Sequence, residues 1–455
     1  MNADRTENWE LLSEVVTTVM QTKDVPGVAV GILHQGKIAS SGFGVTHVEH
    51  SLPVTDETLF QVGSITKTFT ATALMQLVEA GKLELDATAQ SYLPAFRVVD
   101  EEASTGATLR HLLTHTGGWV GDFFRSTGMG ADALSKYVAE MAGLEQLAPV
   151  GTIWSYCNSG FSVAGRILEV VTEKPYEAAL QELLLEPIGL SNTYFDPGDV
   201  IPHRFAVGHD VTPNGPQVAL PWPLPRFAYP AGGIVTHVRD LLRYAQFCLD
   251  DGRTEDGTRL LAPETMAQMQ AAHTIVWGKE TWGLGWSVDK TYGTPLISHG
   301  GGTRGQVSLL LLAPEHDFAI AILTNADRGG VVTREVSRWA LQHYLSLEVT
   351  DPEPIETSPE ELAQYVGRYA RPFAEMELGI LGGRLIAQMT YKQGFPDEGA
   401  PPPPPPPPMT LAPCAPDRLI VLDGALKDNR VEVVRNPDGS IGWLRAGRLN
   451  RRVEV

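Results

Sequence analysis

Ser64 and Lys67 stand three residues apart in FQVGSITKTFTATALMQLVEAG, residues 60–81. Apolar Ile65, Phe69, Ala73 and Leu77 recur every four residues, Leu74 and Val78 widen the stripe, and Gly81 ends it. The spacing predicts an amphipathic helix opening near Ser64. Residues three apart share a helix face, so the Lys67 amine is set beside the Ser64 hydroxyl, at a helix start where the dipole and free N–H groups favour negative charge. That is a nucleophile with an adjacent base, the pairing on which serine acyl transfer depends. Taken alone, a serine in this position also serves as an ordinary helix cap.

Three further groups invite chemistry. Tyr156 and Asn158 lie in GTIWSYCNSG (151–160), just before a helix whose apolar face is Phe161, Ala164, Ile167, Leu168 and Val171. In an extended strip their side chains point the same way; the plain alternative is a capped turn. HGGG at 299–302 sets three glycines in a strand-rich block. Glycine weakens a strand and makes sense where a ligand or another backbone approaches closely. His111 and His115 have the spacing of a helical metal pair, but no third ligand is nearby and Gly117-Gly118 stops the segment. They read as ordinary residues, as do His47 and His50, and no metal or other cofactor is expected.

The elements that must position these residues can be read around them. Residues 1–24 carry acidic and polar residues throughout and read as an amphipathic helix rather than a signal peptide. Residues 26–45 read as a β-hairpin turning at His34–Lys37, and 201–230, rich in Pro and aromatics, as a covering loop. A helix begins near Val238 and stops at Gly252. The three apolar runs of TPLISHGGGTRGQVSLLLLAPEHDFAIAILTNAD form a meander, followed by a helix at 333–345. Residues 351–359 read as a linker, and from Glu360 short strands with Gly turns suggest a small antiparallel barrel or sandwich. The eight prolines at 401–408 form polyproline II, about 25 Å long if fully ordered, in a loop between two strands. A solvated spacer is the preferred reading over a strip that docks a proline-reading module.

Composition excludes some functions. The 455 residues carry a formal charge of −19, which argues against nucleic acid or an anionic membrane as partner. No run approaches the ~18 apolar residues of a membrane span. Three cysteines without metal-like spacing suit a reducing cytoplasm.

The strings LFQVGSITKTFTATALMQLVEAGKLELDA, TLRHLLTHTGG, YCNSGFSVAGRILEVVTEKPYE, EPIGLSNTYF, YPAGGIVTHVRDLLRY, WGLGW, SHGG and LTNAD occur in an order that resembles the serine β-lactamase-related family. That family includes class C β-lactamases, D-Ala-D-Ala carboxypeptidases, D-aminopeptidases and carboxylesterases. The likeness covers roughly residues 10–347, and the tail resembles the lipocalin-like C-terminal domain of some D-aminopeptidase relatives. It implies an α+β fold, with an antiparallel sheet flanked by helices and a helical region in residues 1–350, a linker at 351–359 and a β-barrel at 360–455. It further implies Ser64 as acylated nucleophile, Lys67 as its base, Tyr156 as a second proton-transfer group and Asn158 as a polar orienter of the substrate amide. His299, Gly300 and Gly301 occupy the place where penicillin-binding members carry Lys-Thr-Gly, a departure similar to D-aminopeptidases and some esterases. An oxyanion would be met by the backbone N–H groups of Ser64 and Gly302.

The expected function is therefore a cytoplasmic serine hydrolase acting through an acyl-enzyme on an ester or amide of a small molecule or peptide, like a carboxylesterase or D-aminopeptidase. β-Lactamase or DD-carboxypeptidase activity, acyl transfer to an amine, and a non-catalytic scaffold are the alternatives, and a homo-oligomer is left open. Without the motif lysine, carboxylate capture should be weak, with Thr303 and Arg304 placed to restore part of it. The barrel is expected to cover the cleft mouth or a partner subunit, and to be removable from a reactive core.

Overall fold

The computed structural model describes residues 3–424 and 426–453. Helix α1 (Ala3–Thr22) leads into the hairpin β1 (Gly27–His34) and β2 (Lys37–Gly44). Gln35 and Gly36 make the turn, both at positive φ (53° and 68°), as a two-residue hairpin with the twist of its strands requires. Six more strands complete the sheet: β3 (Thr274–Trp277), β4 (Glu280–Trp282), β5 (Ser287–Asp289), β6 (Leu296–Thr303), β7 (Gln306–Ala313) and β8 (Phe318–Thr324). Their order is β2-β1-β8-β7-β6-β5-β4-β3, with β1 bridging the distant β8 by an antiparallel register that pairs Val28 with Thr324.

Both faces of the central strands are covered, which is why β1 and β8 are apolar at nearly every position. Val28, Val30, Ile32, Phe318, Ile320 and Ile322 pack under α1 and a C-terminal helix spanning Gly329–Leu345. Ala29, Leu33, Ala319, Ala321 and Leu323 face the opposite core. That second core holds α2 (Thr66–Glu79), α3 (Asn158–Thr172) and α4 (Val238–Leu249). The expected α+β architecture is present.

The helix carrying Lys67 differs from the expected one-sided stripe. A 3₁₀ turn at Gly63–Ile65 precedes α2, and every residue from Thr66 to Met75 is buried. Threonine can face a core here because its hydroxyl finds a partner inside: Thr68 donates to Ile65 O at 2.8 Å, Thr70 lies 2.8 Å from the Tyr176 hydroxyl, and Thr72 2.9 Å from that of Tyr244. Hydropathy alone cannot see this, since Thr70 and Thr72 meet tyrosines more than a hundred residues away in sequence.

The C-terminal strands close into an eight-stranded antiparallel barrel: β9 (Gly367–Ala370), β10 (Ala374–Leu381), β11 (Arg384–Tyr391), β12 (Met409–Ala415), β13 (Arg418–Val421), β14 (Arg430–Arg435), β15 (Ile441–Ala446) and β16 (Arg448–Val453). It has its own core around Tyr369, Met376, Leu378, Leu385, Leu419 and Leu444. It is not loosely tethered, because Leu449 of β16 is buried with Val120, Leu147 and Ala148 of the main unit. Among the described residues, no helix is long and apolar enough to cross a membrane.

Candidate active site

The turn bearing Ser64 is pinned by backbone against backbone. A Cβ on Gly301 would stand 1.9 Å from Val62 O, and one on Gly63, at φ +52°, would stand 2.6 Å from Gly302 N. Ser308 of the neighbouring strand donates to Val62 O at 2.7 Å. The two explanations for the glycine run thus separate by residue. Gly301 admits another backbone, whereas a Cβ on Gly302 would meet nothing within 4 Å, and Gly302 borders the open space beside Ser64. Strand β5 pairs with β6 only through Ser298, so beyond His299 that edge of β6 is left to the site.

Lys67 is fully buried, with Nζ 3.0 Å from Ser64 Oγ and donating to Ala231 O at 2.6 Å. Burial pushes its pKa well below the ordinary lysine value, and the positive charge of Arg448 adds to that; Asp122 opposes it in part. An amine whose charged form is disfavoured, set beside a serine hydroxyl, can accept its proton.

Tyr156 lies on the extended strip that enters α3, and Asn158 is the first residue of that helix. Its N-cap is Cys157, whose Sγ accepts from Gly160 N at 3.3 Å. The Tyr156 ring lies 4.8 Å from Lys67 Nζ, and its buried hydroxyl is directed at Ser64. Burial raises its pKa, so it remains a phenol at neutral pH. His299 Nδ1 is 2.6 Å from Gly300 O. A carbonyl only accepts, so Nδ1 carries the proton and Nε2 presents a bare lone pair. Burial, with Lys67 nearby, pushes His299 down to about 3, and the ring is neutral.

The two histidine pairs have different surroundings. His111 closes a capping box with Thr108 on the short helix Leu109–Leu113, while His115 lies beyond that helix at φ +57°. His115 is buried behind Tyr156, ring centroids 4.3 Å apart, and its Nδ1 accepts from Cys157 N at 3.1 Å. It is a wall that holds the tyrosine strip. His47, Glu49 and His50 bring ligand atoms within 4.8 Å of one another. However, His47 Nδ1 already accepts from Glu49 N and His50 N, which leaves the ring proton on the other nitrogen.

The sequence reading missed what the barrel contributes. At the reversal between β15 and β16, Gly447 O accepts from Tyr156 N at 3.0 Å, Arg445 Nη1 donates to Trp154 O at 2.9 Å, and Leu449 N donates to Ser155 Oγ at 3.2 Å. Arg448 lies over the Tyr156 ring at 4.9 Å, with Nε 2.5 Å from Asp122 Oδ2. Arg371 pairs with the same oxygen, and Asn158 donates to Asp122 Oδ1 at 2.9 Å. Burial alone would raise the Asp122 carboxyl, but the two guanidinium groups outweigh it and hold it below its ordinary value. Around Asp122 two cations face one anion, and Glu280, the other carboxylate lining this space, is paired with Arg430. The only sequence signal was the run RAGRLNRR at 445–452, four arginines close together in an acidic chain. Arg304, by contrast, is taken by Asp210 at 2.7 Å.

Two cavities meet at Ser64. One, about 660 Å³, mixes charged and polar groups (Asp122, Glu280, Arg371, Arg448 and His299) with aromatic walls that include Trp154 and Trp282. The other, about 60 Å³, is lined by apolar side chains including Phe123, Phe124, Leu224, Phe227 and Phe395.

This arrangement of sheet, helix-borne serine and lysine, and C-terminal barrel has known counterparts. The chain is 35% identical over 359 residues to penicillin-binding protein 4 of Amycolatopsis lactamdurans, covering 76% of this chain and 93% of that protein. Its fold is similar to the crystal structure of SurE, with a TM-score of 0.76 at 22% identity over 99% of this chain and 100% of that one. It is also similar to EstCE1, described as a hydrolase with promiscuous acyltransferase activity, with a TM-score of 0.63 at 21% identity over 74% and 99% of the two chains. The β-lactamase family profile matches residues 12–344, the stretch that supplies every group around Ser64 except those of the barrel, and the chain belongs to that family of serine hydrolases and acyl-transferring enzymes.

Proposed function

We propose that this protein hydrolyses ester or amide bonds through an acyl-enzyme on Ser64. The observation that carries the reading is the contact of a fully buried Lys67 amine, depressed in pKa, with the Ser64 hydroxyl at 3.0 Å. Lys67 takes the hydroxyl proton as Ser64 Oγ bonds to the carbonyl carbon, and the negative charge gathers on the carbonyl oxygen. The backbone N–H groups of Ser64 and Gly302 receive that charge, each such donor contributing about 3 kcal/mol to the transition state. Collapse breaks the bond to the leaving group, which takes a proton from Tyr156; the phenol is replenished from Lys67. Water then retraces the sequence and releases the acid. Labelling by a fluorophosphonate probe, lost in Ser64→Ala, is the test; labelling of the variant at another serine would refute the assignment.

A second reading concerns the substrate. The lysine of the third motif is replaced by neutral His299, but Arg448 and Arg371 of the barrel meet at Asp122 on the wall of the larger cavity, where the other lining carboxylate, Glu280, is paired with Arg430. That favours a substrate with a free carboxylate, such as a D-amino-acid peptide, over one without. One relative in fold, SurE, has been crystallised with D-Leu. A D-peptide and its C-terminal amide compared by kcat/KM decide the point: a preference for the acid that falls in Arg448→Ala supports the reading, and equal rates refute it.

A further inference from the structure

The polyproline run and Phe395, in the loop ahead of it, have no place in the chemistry above, yet Phe395 reaches the site. Phe395, in the loop from β11 to β12, borders both cavities beside Ser64. Its ring stands edge-on to Phe124 of the main unit, centroids 5.2 Å apart at 85°, and Phe124 meets Phe373 of the barrel in the same way at 5.3 Å. Next to it Pro396 is buried.

The loop that carries Phe395 is closed on itself. A Cβ on Gly394 would lie 1.8 Å from Ala400 O, Ala400 N donates to Asp397 O at 3.2 Å, and Gly399 N donates to Asp397 Oδ1 at 2.9 Å. From Ala400 the eight prolines run to Met409, where β12 begins. Pro403 and Pro406 are half-buried and the other six exposed. That period of three is the repeat of a polyproline II helix with one face laid on the barrel. Gln388 of β11 fixes it there, its Nε2 donating to Pro406 O at 2.8 Å. A polyproline segment is stiff over several residues, with little backbone entropy left to lose. The solvated spacer expected from sequence is instead a strut lying against the barrel.

Size and openness tell the two cavities apart. A leaving group must depart and water must arrive, which the cavity of about 660 Å³ allows. The retained acyl chain then lies in the apolar cavity of about 60 Å³. Since a cavity of about 150 Å³ holds a benzene ring, this one takes a chain of about three carbons.

We propose that Phe395 sets the size of acyl group this enzyme accepts, and that the polyproline strut holds Phe395 in place. The proposal rests on the acyl-enzyme reading above and names its substrate class: short apolar acyl groups on the Ser64 side of the scissile bond. Displacing Phe395 opens the small cavity toward the larger one, and longer chains enter.

The test uses the full-length protein and p-nitrophenyl esters from acetate to octanoate. The wild type should show kcat/KM at least tenfold lower for octanoate than for butyrate. In Phe395→Ala the octanoate-to-butyrate ratio should rise at least tenfold. Replacing Pro401–Pro408 by eight alternating Gly and Ser residues should raise the same ratio at least threefold, and Gln388→Ala, which only unpins the strut, should move it in the same direction. An unchanged ratio in Phe395→Ala overturns the size gate, and a rise there with neither strut variant moving overturns the strut. Absence of any ester turnover together with no fluorophosphonate labelling of the wild type would refute the acyl-enzyme reading instead.

Discussion

A lysine amine is costly to charge in a protein core, and burial with Arg448 nearby pushes the pKa of Lys67 well below its ordinary value. Between that value and the unfolded one the unfolded chain binds more protons, and stability rises with pH across the window. Lys67→Met should therefore lose labelling yet melt at a higher temperature than wild type at pH 7, with the advantage shrinking toward pH 10; thermal denaturation at several pH values measures this. Under the proposed mechanism, activity depends on the same proton. The acidic limb of the kcat/KM profile reports the loss of neutral Lys67, and Arg448→Ala removes one cause of the depression. The limb should then move to higher pH; an unmoved limb would show that Arg448 does not reach Lys67. Ser64→Ala is expected to change stability by no more than about 1 kcal/mol, because that hydroxyl caps no helix through its side chain.

At the scale of elements, the site is an edge where a helix start and a strand touch by backbone. The contact of the Ser64 turn with β6 depends on Gly301, where a methyl group would meet Val62 O at 1.9 Å. Gly301→Ala should force strand and turn apart and destabilise the protein by about 1–3 kcal/mol, the range of overpacked core changes. Fluorophosphonate labelling should slow at least tenfold in the fraction that remains folded. Gly302→Ala, with open space for its methyl, should leave stability nearly unchanged, and calorimetry of the two variants separates them.

For the whole molecule, the question is how far two bodies with separate cores depend on each other. The barrel covers the site, but it also holds the strip that carries Tyr156 through Gly447, Arg445 and Leu449, and places two arginines on Asp122. Removing residues 360–455 would strip Asp122 of both its cations and expose Leu147 and Ala148. The truncated chain is expected to label at no more than a tenth of the full-length rate, in contrast to the freely reactive core suggested by sequence. Asp122→Asn in the intact chain should loosen the same joint, leaving two guanidinium groups unbalanced at a cost of about 3 kcal/mol. Protease sensitivity between the two bodies is the readout.

Sequence by itself determined the parts whose signals are local. The Ser64–Lys67 spacing, the hairpin at 26–45, the three-run meander around His299 and the short strands of the tail all rest on periods of two or of three to four residues and on turn chemistry, and all appear in the fold. Tertiary structure alone decided what depends on distant neighbours. It made α2 a helix buried on every side, because tyrosines on other helices meet its threonines. It showed that Gly301 accommodates a backbone and Gly302 a space, that His115 supports Tyr156, and that Arg371 and Arg448 enter the site from a barrel more than two hundred residues beyond Asn158. No periodicity encodes such a meeting, since it is fixed by how two separately folded surfaces pack.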